Sequence, residues 1–171
     1  MRLQDKVAVV TGSSRGVGRS VALAYGEEGA KVVVNYTSSE KAAMEVVDAI
    51  KGMGSDAIAV KADVASASDA DALIQSAMDS FGRMDVLVNN AGFTRPALML
   101  KMTEEQWDQV VDIHMKGAFL CCRAAGKHMK EQQSGRIINV TSVAGIVGTV
   151  GQVNYSAAKG GVISMTKSIA R

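Results

Sequence analysis

Short apolar stretches rich in valine and isoleucine alternate with longer stretches of helical periodicity along the whole chain. Five of the apolar stretches predict buried strands, at residues 6–11, 31–36, 56–62, 84–89 and 136–141. The periodic stretches predict helices at residues 16–28, 39–53, 68–81 and 104–130, the last one bent near Gly117, and a further helix from residue 153. Continuous apolar strands that alternate with helices are typical of a parallel sheet covered on both faces. The sequence therefore predicts one doubly wound α/β domain over residues 1–171.

Composition agrees with this fold class and argues against several functions. Hydrophobic residues make up 47% of the chain and charged residues 21%, which is ordinary for a folded domain. The net charge of +2 gives no strong electrostatic attraction to nucleic acid or to an anionic membrane. Cys121 and Cys122 are adjacent, which favours two buried thiols over metal ligands. The first apolar run is too short for a signal peptide or a membrane span, so we expect a cytoplasmic location.

A glycine-rich loop follows the first predicted strand and leads directly into a helix. It reads TGSSRGVG, with glycines spaced G-x3-G-x-G instead of the usual G-x-G-x-x-G. Glycine allows a tight turn and close backbone approach, and a helix N-terminus offers free amides to a pyrophosphate. Such a loop can also be a plain connection, but its place in a doubly wound fold favours nucleotide binding. The residues that we predict to contact the cofactor here are Gly12, Ser14, Arg15, Gly16, Val17 and Gly18.

Polar or small residues follow three further predicted strands. Asp63 and Val64 close the third strand, the tetrapeptide NNAG at residues 89–92 closes the fourth, and Ser142 follows the fifth. The carboxyl ends of the strands form the edge at which a doubly wound sheet binds ligands. We therefore expect all of these residues near one site. Asp63 could instead cap the following helix, since aspartate is favoured at that position.

Tyr155 and Lys159 lie four residues apart in the stretch NYSAAKGG. On a helix this spacing places both side chains on one face, and only small residues separate them. An ammonium group beside a phenol stabilises the phenolate, so the pair can act as an acid–base device. Taken alone, it could equally be an exposed pair on a helix surface.

In combination, these motifs resemble the short-chain dehydrogenase/reductase family. TGSSRGVG, NNAG, a serine after the fifth strand and YSAAK occur in the family's order over the whole chain. The context GQVNYSAAKGG looks like that of the 3-oxoacyl-[acyl-carrier-protein] reductase branch, which serves fatty acid biosynthesis. The resemblance implies a Rossmann fold, an NADP(H) cofactor and a homotetramer assembled through the helices at residues 104–130 and from residue 153.

The resemblance also implies a role for each site residue. Tyr155 is expected to be the general acid that protonates the ketone oxygen as hydride reaches the carbon. Lys159 stabilises the phenolate and bonds the nicotinamide ribose, and Ser142 holds the substrate carbonyl. Asp63 accepts a hydrogen bond from the adenine amino group, and Asn89 supports the sheet end. The remaining expected cofactor contacts are Val64, Asn89, Ala91, Gly92 and Tyr155.

One position departs from the family pattern. The family usually carries a catalytic asparagine seven residues after a tryptophan in the long helix, and here Trp107 is followed at that spacing by His114. Imidazole can both donate and accept a hydrogen bond. His114 is therefore either part of a proton-relay water chain or a structural residue.

The end of the second strand indicates the type of coenzyme. NAD-specific sheets place an acidic residue there to accept from the ribose hydroxyl. This strand ends in VVVNYTSS. The first polar residue of this stretch is Asn35, and the first acidic residue after it is Glu40. Arg15 is placed to pair with a ribose 2′-phosphate. We therefore expect NADP(H), with Asn35 among the residues of its pocket.

These features predict an NADP-dependent ketoreductase that acts on a 3-oxoacyl thioester of acyl carrier protein or coenzyme A, or on a similar ketone. One alternative is a secondary alcohol or hydroxyacyl-CoA dehydrogenase of the same family, which would use NAD or NADP. Another is an inactive nucleotide-binding module, which the complete set of Ser142, Tyr155 and Lys159 disfavours.

The printed sequence stops inside the helix that carries Tyr155 and Lys159. A sheet of this type has a sixth strand, and the resemblance implies a loop beyond it that covers the nicotinamide. We therefore expect that these residues are an incomplete copy of a longer enzyme. A chain of only this length would leave its fifth strand as an open edge, aggregate readily, bind NADPH weakly and show little or no turnover.

Overall fold

The five strands form one parallel sheet in a computed structural model that describes residues 1–171. Their order across the sheet is β3-β2-β1-β4-β5, and every neighbouring pair is parallel. The chain runs outward from β1 to β3 and then crosses back to place β4 beside β1. This arrangement confirms the predicted doubly wound sheet. The strands are β1 (Val7–Val10), β2 (Lys31–Tyr36), β3 (Ala57–Lys61), β4 (Val86–Asn89) and β5 (Arg136–Asn139).

Helices connect the strands and were predicted in the right places. Two short elements were not predicted, a 3₁₀ turn at Met99–Lys101 and a helix at Ala144–Val147, because three or four residues are too few to show a period. The predicted strands β1, β3, β4 and β5 were each too long by two residues, because they included residues next to the paired backbone, most of which are polar. The helices are α1 (Gly16–Glu27), α2 (Glu40–Gly52), α3 (Ala67–Phe81), α4 (Glu104–Val111), α5 (Gly117–Glu131), α6 (Ala144–Val147) and α7 (Val153–Ile169).

The long helix predicted at residues 104–130 contains an irregularity just before Gly117. Residues Asp112–Lys116 form a π-helical stretch that joins α4 directly to α5. A π-helical stretch inside an α-helix is rare and is frequently found at functional sites. This one carries His114, the residue that departs from the family pattern.

Each face of the sheet packs against its own helices. Along β1, Val7 and Val9 belong to a buried cluster with side chains of α3 and α5, whereas Ala8 and Val10 belong to a second cluster with side chains of α1 and α2. This two-sided burial explains why the strand is continuously apolar. Burial at about 25 cal/mol per Å² of apolar surface is the main stabilising contribution to such a fold.

The glycine loop after β1 is attached to the end of β2 by Asn35, which is 1% exposed. The side-chain oxygen of Asn35 accepts a hydrogen bond of 2.9 Å from the backbone N–H of Gly12. Its amide nitrogen donates to the carbonyl of Ala62 at 3.0 Å, just after β3. The Ser13 hydroxyl accepts from the backbone N–H of Asn35 at 3.0 Å. The carboxyl ends of three strands are thus joined around one buried amide.

A second set of bonds joins the glycine loop to the loop after β4. The hydroxyl oxygen of Thr11 accepts hydrogen bonds of 2.9 Å from the backbone N–H groups of both Asn90 and Ala91. The amide nitrogen of Asn90 donates to the carbonyl of Thr11 at 2.9 Å. The two loops that follow the central strands therefore form one rigid edge.

Replacing Gly12 with alanine should destabilise this edge more than replacing Gly16. Both glycines have positive φ angles, +63° and +57°, so alanine at either costs about 1–2 kcal/mol of backbone strain. A Cβ on Gly12 would also lie 2.8 Å from the backbone Cα of Ala91, whereas a Cβ on Gly16 meets no atom. Urea denaturation should therefore show the larger loss of unfolding free energy for Gly12→Ala. Equal losses would mean that the two loops separate freely.

Candidate active site at the carboxyl edge of the sheet

A cavity of about 570 Å³ opens at the carboxyl ends of the strands. It spans the point where the strand order reverses between β1 and β4, the usual ligand position in this fold class. Its volume lies within the range of about 300–1,000 Å³ typical of small-molecule sites. The predicted cofactor residues that line it are Gly12, Ser14, Arg15, Gly16, Val17, Asn35, Asp63, Val64, Ala91 and Gly92.

Four predicted cofactor residues do not line this cavity. Gly18 is buried in α1, where its backbone packs against the amide of Asn90. Asn89, Tyr155 and Lys159 are not part of the cavity wall. Asn89 and Lys159 line a second and much smaller cavity next to it.

Asn35 was expected to contact the cofactor, but the hydrogen bonds of its side chain are made to the backbone of the protein. It forms part of the cavity wall, but both ends of its amide are bonded to the backbone of the protein. It therefore shapes the glycine loop. The sequence contained a signal for this, because a polar residue inside an otherwise apolar strand must find partners when it is buried.

Asp63 is exposed and lines the cavity. It is not the N-cap of the following helix, which was the alternative role for this residue. The side chain of Ser66 accepts from the N–H of Asp69 and forms the N-cap of α3. One carboxylate oxygen of Asp63 accepts from the N–H of Ala65 at 3.0 Å, which forms a turn ahead of the helix. That bond orients the carboxylate at the cavity wall.

Sequence reasoning assigned no cofactor contact to eight further residues of the cavity wall, although Asn90 belongs to the NNAG motif expected at this edge. They come from the end of β2 and the loop that follows it, from the segment after β3, from the loop after β4 and from the π-helical stretch. The only available signal was their position next to residues that were predicted. They are Tyr36, Thr37, Ser38, Ser39, Ala62, Asn90, Phe93 and Ile113.

The structure places Tyr155 and Lys159 on one face of the first turns of α7. The Lys159 ammonium lies 5.8 Å from the centre of the Tyr155 ring. Lys159 is only 4% exposed, and its Nζ donates a hydrogen bond of 2.6 Å to the carbonyl of Val140. Burial disfavours the charged form and lowers the pKa of Lys159 to about 8. A buried cation beside a half-buried phenol is suited to proton transfer.

Ser142 lies in the turn between β5 and α6. Its hydroxyl oxygen accepts a hydrogen bond of 3.1 Å from the backbone N–H of Ala144. The neighbouring Thr141 donates from its hydroxyl to the carbonyl of Lys159 at 3.0 Å. This bond ties the segment that carries Ser142 to the helix that carries Tyr155 and Lys159.

His114 is 6% exposed and contacts Tyr155. Their ring centres are 5.1 Å apart and the rings are nearly perpendicular, at 84°. The Nε2 atom of His114 lies 2.8 Å from the carbonyl oxygen of Phe93, in the loop after β4. Burial lowers the pKa of His114 to about 4, against the raising effect of the Phe93 hydrogen bond, and the charge of Lys159 lowers it further. The ring is therefore neutral at neutral pH.

The two cysteines are buried, as their position predicted. Burial raises the pKa of Cys121 to about 12, so its thiol stays protonated and unreactive. None of the helices combines the length and the apolar character needed to cross a bilayer.

Comparisons with known proteins agree with this geometry. The short chain dehydrogenase family model matches residues 6–171. The chain is 54% identical over 169 residues to a 3-oxoacyl-[acyl-carrier-protein] reductase of Synechocystis, and 51% identical over 166 residues to the reductase of that name from Staphylococcus aureus. These alignments cover 99% and 97% of this chain and 68% of each relative.

Solved structures show the same likeness. A short chain dehydrogenase from Mycobacterium avium matches with a TM-score of 0.94 and 40% identity, and the match covers 99% of this chain and 63% of that one. A protein described as a short-chain alcohol dehydrogenase from Sinorhizobium meliloti matches with a TM-score of 0.94 and 36% identity, over 98% of this chain and 66% of that one. The chain thus spans slightly less than two thirds of these solved chains. Since both its sequence and its sheet match over almost their full extent, the protein belongs to the short-chain dehydrogenase family.

Proposed function

We propose that the protein is an NADP-dependent ketoreductase. In this proposal hydride passes from NADPH to the ketone of a 3-oxoacyl thioester, carried by acyl carrier protein or coenzyme A, or to a similar ketone. The observation that carries the proposal is the buried ammonium of Lys159 beside the Tyr155 ring, next to a cavity of nucleotide size. The two reductases that share about half of its residues support this choice of substrate class.

The main cavity fits a dinucleotide. Arg15, at the N-cap of α1, makes no side-chain bond to the helix, so no side chain caps the first N–H groups. The first turn of α1 also contains no acidic residue. Free amides and a positive dipole end favour a pyrophosphate. The nicotinamide coenzyme, when bound, supplies the hydride.

Side chains of the protein would supply the proton that the ketone oxygen takes up. Tyr155 would donate its phenol proton to the ketone oxygen, where negative charge develops as hydride arrives. Lys159 would stabilise the resulting phenolate, because an opposite charge at short range in a partly buried site is only weakly screened. Ser142 would hold the carbonyl oxygen by donating its hydroxyl hydrogen, since that hydroxyl accepts from the N–H of Ala144 and donates to no group of the protein.

The same site could catalyse the reverse reaction, alcohol oxidation, which is the first alternative that the sequence leaves open. Tyr155 would then act as a base in alcohol oxidation. The similarity to a protein described as a short-chain alcohol dehydrogenase from Sinorhizobium meliloti makes alcohol oxidation the second candidate function. We also propose that the protein assembles into a homotetramer through α4, α5 and α7. Rates measured with 3-oxoacyl thioesters and with secondary alcohols would separate the two activities.

Replacing Tyr155 with phenylalanine removes the proposed acid and little else. We expect turnover to fall by about 10²–10⁴-fold, the usual contribution of a general acid, while coenzyme affinity changes little. The measurement is the loss of NADPH absorbance with a 3-oxoacyl thioester, beside coenzyme titration by fluorescence. Tyr25→Phe, in α1, is the matched control and should keep full activity. Full activity in Tyr155→Phe would reject Tyr155 as the acid.

The pH profile should report Lys159. Because its pKa is lowered to about 8, the ammonium is present below that pH and is lost as the pH rises through it. The rate of ketone reduction should therefore decline above about pH 8. Lys159→Ala should weaken coenzyme binding and abolish this decline, so that the optimum moves upward, and Lys167→Ala on the exposed part of α7 should not. An identical profile in Lys159→Ala would exclude the tuning role.

Coenzyme preference should depend on Arg15. Arg15 lines the main cavity together with Tyr36, Thr37 and Ser38, and none of these brings a carboxylate to the ribose position. We expect kcat/KM to be higher with NADPH than with NADH. Arg15→Ala should lower kcat/KM for NADPH about tenfold or more, in line with about 1.5–3 kcal/mol for a bond between charged groups, and leave that for NADH nearly unchanged. Arg19→Ala, outside the cavity wall, is the control. Equal use of both coenzymes by the unaltered protein would contradict the assignment.

A further inference from the structure

Asn154 immediately precedes Tyr155 at the start of α7, and its side chain is fully buried, at 0% exposure. The N-cap residue of this helix, Gln152, makes no side-chain bond to the first turn. A helix start leaves its first backbone N–H groups without partners inside the helix. A buried amide at this point needs partners of its own, and it finds them in the first turn and in other segments of the fold.

The side chain of Asn154 bonds to three separate segments. Its Oδ1 atom accepts a hydrogen bond of 2.8 Å from the backbone N–H of Tyr155. Its amide nitrogen donates to the carbonyl of Arg95, in the loop after β4, at 3.1 Å. The same nitrogen donates to the carbonyl of Gln106, in the first turn of α4, at 2.9 Å. One side chain thus joins the start of the helix that carries Tyr155 to segments 59 and 48 residues earlier in the chain.

The partners of Asn154 determine the orientation of its amide. A backbone N–H can only donate and a carbonyl can only accept, so the oxygen must face Tyr155 and the nitrogen must face both carbonyls. Both N–H groups of the amide and its oxygen are therefore used. Among side chains of similar size, leucine offers no polar atom, and an ionised aspartate can only accept. Asparagine satisfies all three partners, and neither of these replacements does.

The loop that Asn154 holds also forms part of the wall of the main cavity. Phe93, two residues before Arg95, lines that cavity. A backbone hydrogen bond of 2.9 Å from the N–H of Ala97 to the carbonyl of Gly151 attaches the same loop to the residues that lead into α7. The cavity wall and the start of α7 are therefore connected at two neighbouring points, and Asn154 supplies the one made by a side chain.

We propose that Asn154 is a positioning residue, which fixes the phenol of Tyr155 relative to the main cavity by bonding the start of α7 to the loop after β4. It acts through Tyr155, because its three partners are all backbone groups of the protein. A misplacement of about 1 Å can lower a catalytic rate about 10²-fold, so a small shift of α7 would be costly. The catalytic part of this inference rests on the proposed function, whereas the placement of the Tyr155 ring is measured without any reaction.

The placement of Tyr155 is tested first, by proton NMR of the two histidines. The rings of His114 and Tyr155 lie edge to face with their centres 5.1 Å apart, so the phenol shifts the resonances of the His114 ring protons. Asn154→Leu keeps the size of the side chain but removes its polar atoms, and it should change these resonances. The resonances of His128, in α5, should not move.

Gln152→Ala is the matched control for this measurement. It alters the start of the same helix but removes a side chain that makes no bond to the first turn, so both histidines should keep their resonances. Unchanged His114 resonances in a folded Asn154→Leu protein would overturn the proposal, since the Tyr155 ring would then be held without Asn154. This outcome does not depend on whether the protein reduces ketones.

Asn154→Asp is the second variant, for the case that Asn154→Leu does not fold. A protonated carboxyl accepts from the N–H of Tyr155 and donates to one of the two carbonyls, whereas the ionised form donates to neither. At about pH 6 the His114 resonances should therefore resemble those of the unaltered protein, and they should depart from them towards about pH 9, where even a buried carboxyl ionises. Resonances equal to those of the unaltered protein over this whole range would overturn the role of the two donated bonds.

Kinetics with a 3-oxoacyl thioester test the catalytic part. Asn154→Leu should lower kcat about 10–10²-fold and change the affinity for NADPH much less, because it displaces the phenol. Asn154→Asp should keep more of kcat than Asn154→Leu, and Gln152→Ala should keep all of it. Full kcat in Asn154→Leu, or a loss of NADPH affinity as large as the loss of kcat, would contradict the positioning role. If the unaltered protein reduces no ketone, the proposed function is rejected, and the NMR result alone decides the role of Asn154.

Discussion

The buried amide of Asn35 holds the carboxyl edge of the sheet together. Through one side chain, the backbone of the glycine loop after β1 is joined to the end of β2 and to the segment after β3. Thr11 extends this connection to the loop after β4. The main cavity is formed by these same segments, so its shape depends on polar bonds that are shielded from water. Bonds in such surroundings are electrostatically strong, and losing either partner leaves a costly orphan.

The second half of the site depends on a buried charge. Lys159 is almost fully enclosed, and its ammonium is held by one carbonyl of the protein. Burial of a cation is unfavourable, which is why its pKa lies near 8. The same burial means that water only weakly screens the charge of the ammonium at Tyr155. His114, at the π-helical stretch, closes the same space from the other side.

Much of the site could be predicted because its residues lie close together in sequence or at strand ends. Tyr155 and Lys159 need only the repeat of a helix to share a face, and the glycine loop needs only a strand before it and a helix after it. A polar residue inside an apolar strand indicates that Asn35 bonds within the protein, but its partners could not be predicted, since they are more than twenty residues away in sequence. The π-helical stretch was also missed, because its sequence keeps an ordinary helical pattern.

The sequence by itself determined the order of strands and helices, the motifs at the carboxyl edge and the family. These features follow from local periodicity and from residue types at short spacing. Only the tertiary structure decided that His114 is a buried neutral ring with its hydrogen on Nε2, and that the amide of Asn154 joins the start of α7 to the loop after β4. Proton positions and amide orientations depend on partners brought together from distant segments. The burial that lowers the pKa of a lysine or a histidine is likewise a property of the packed fold.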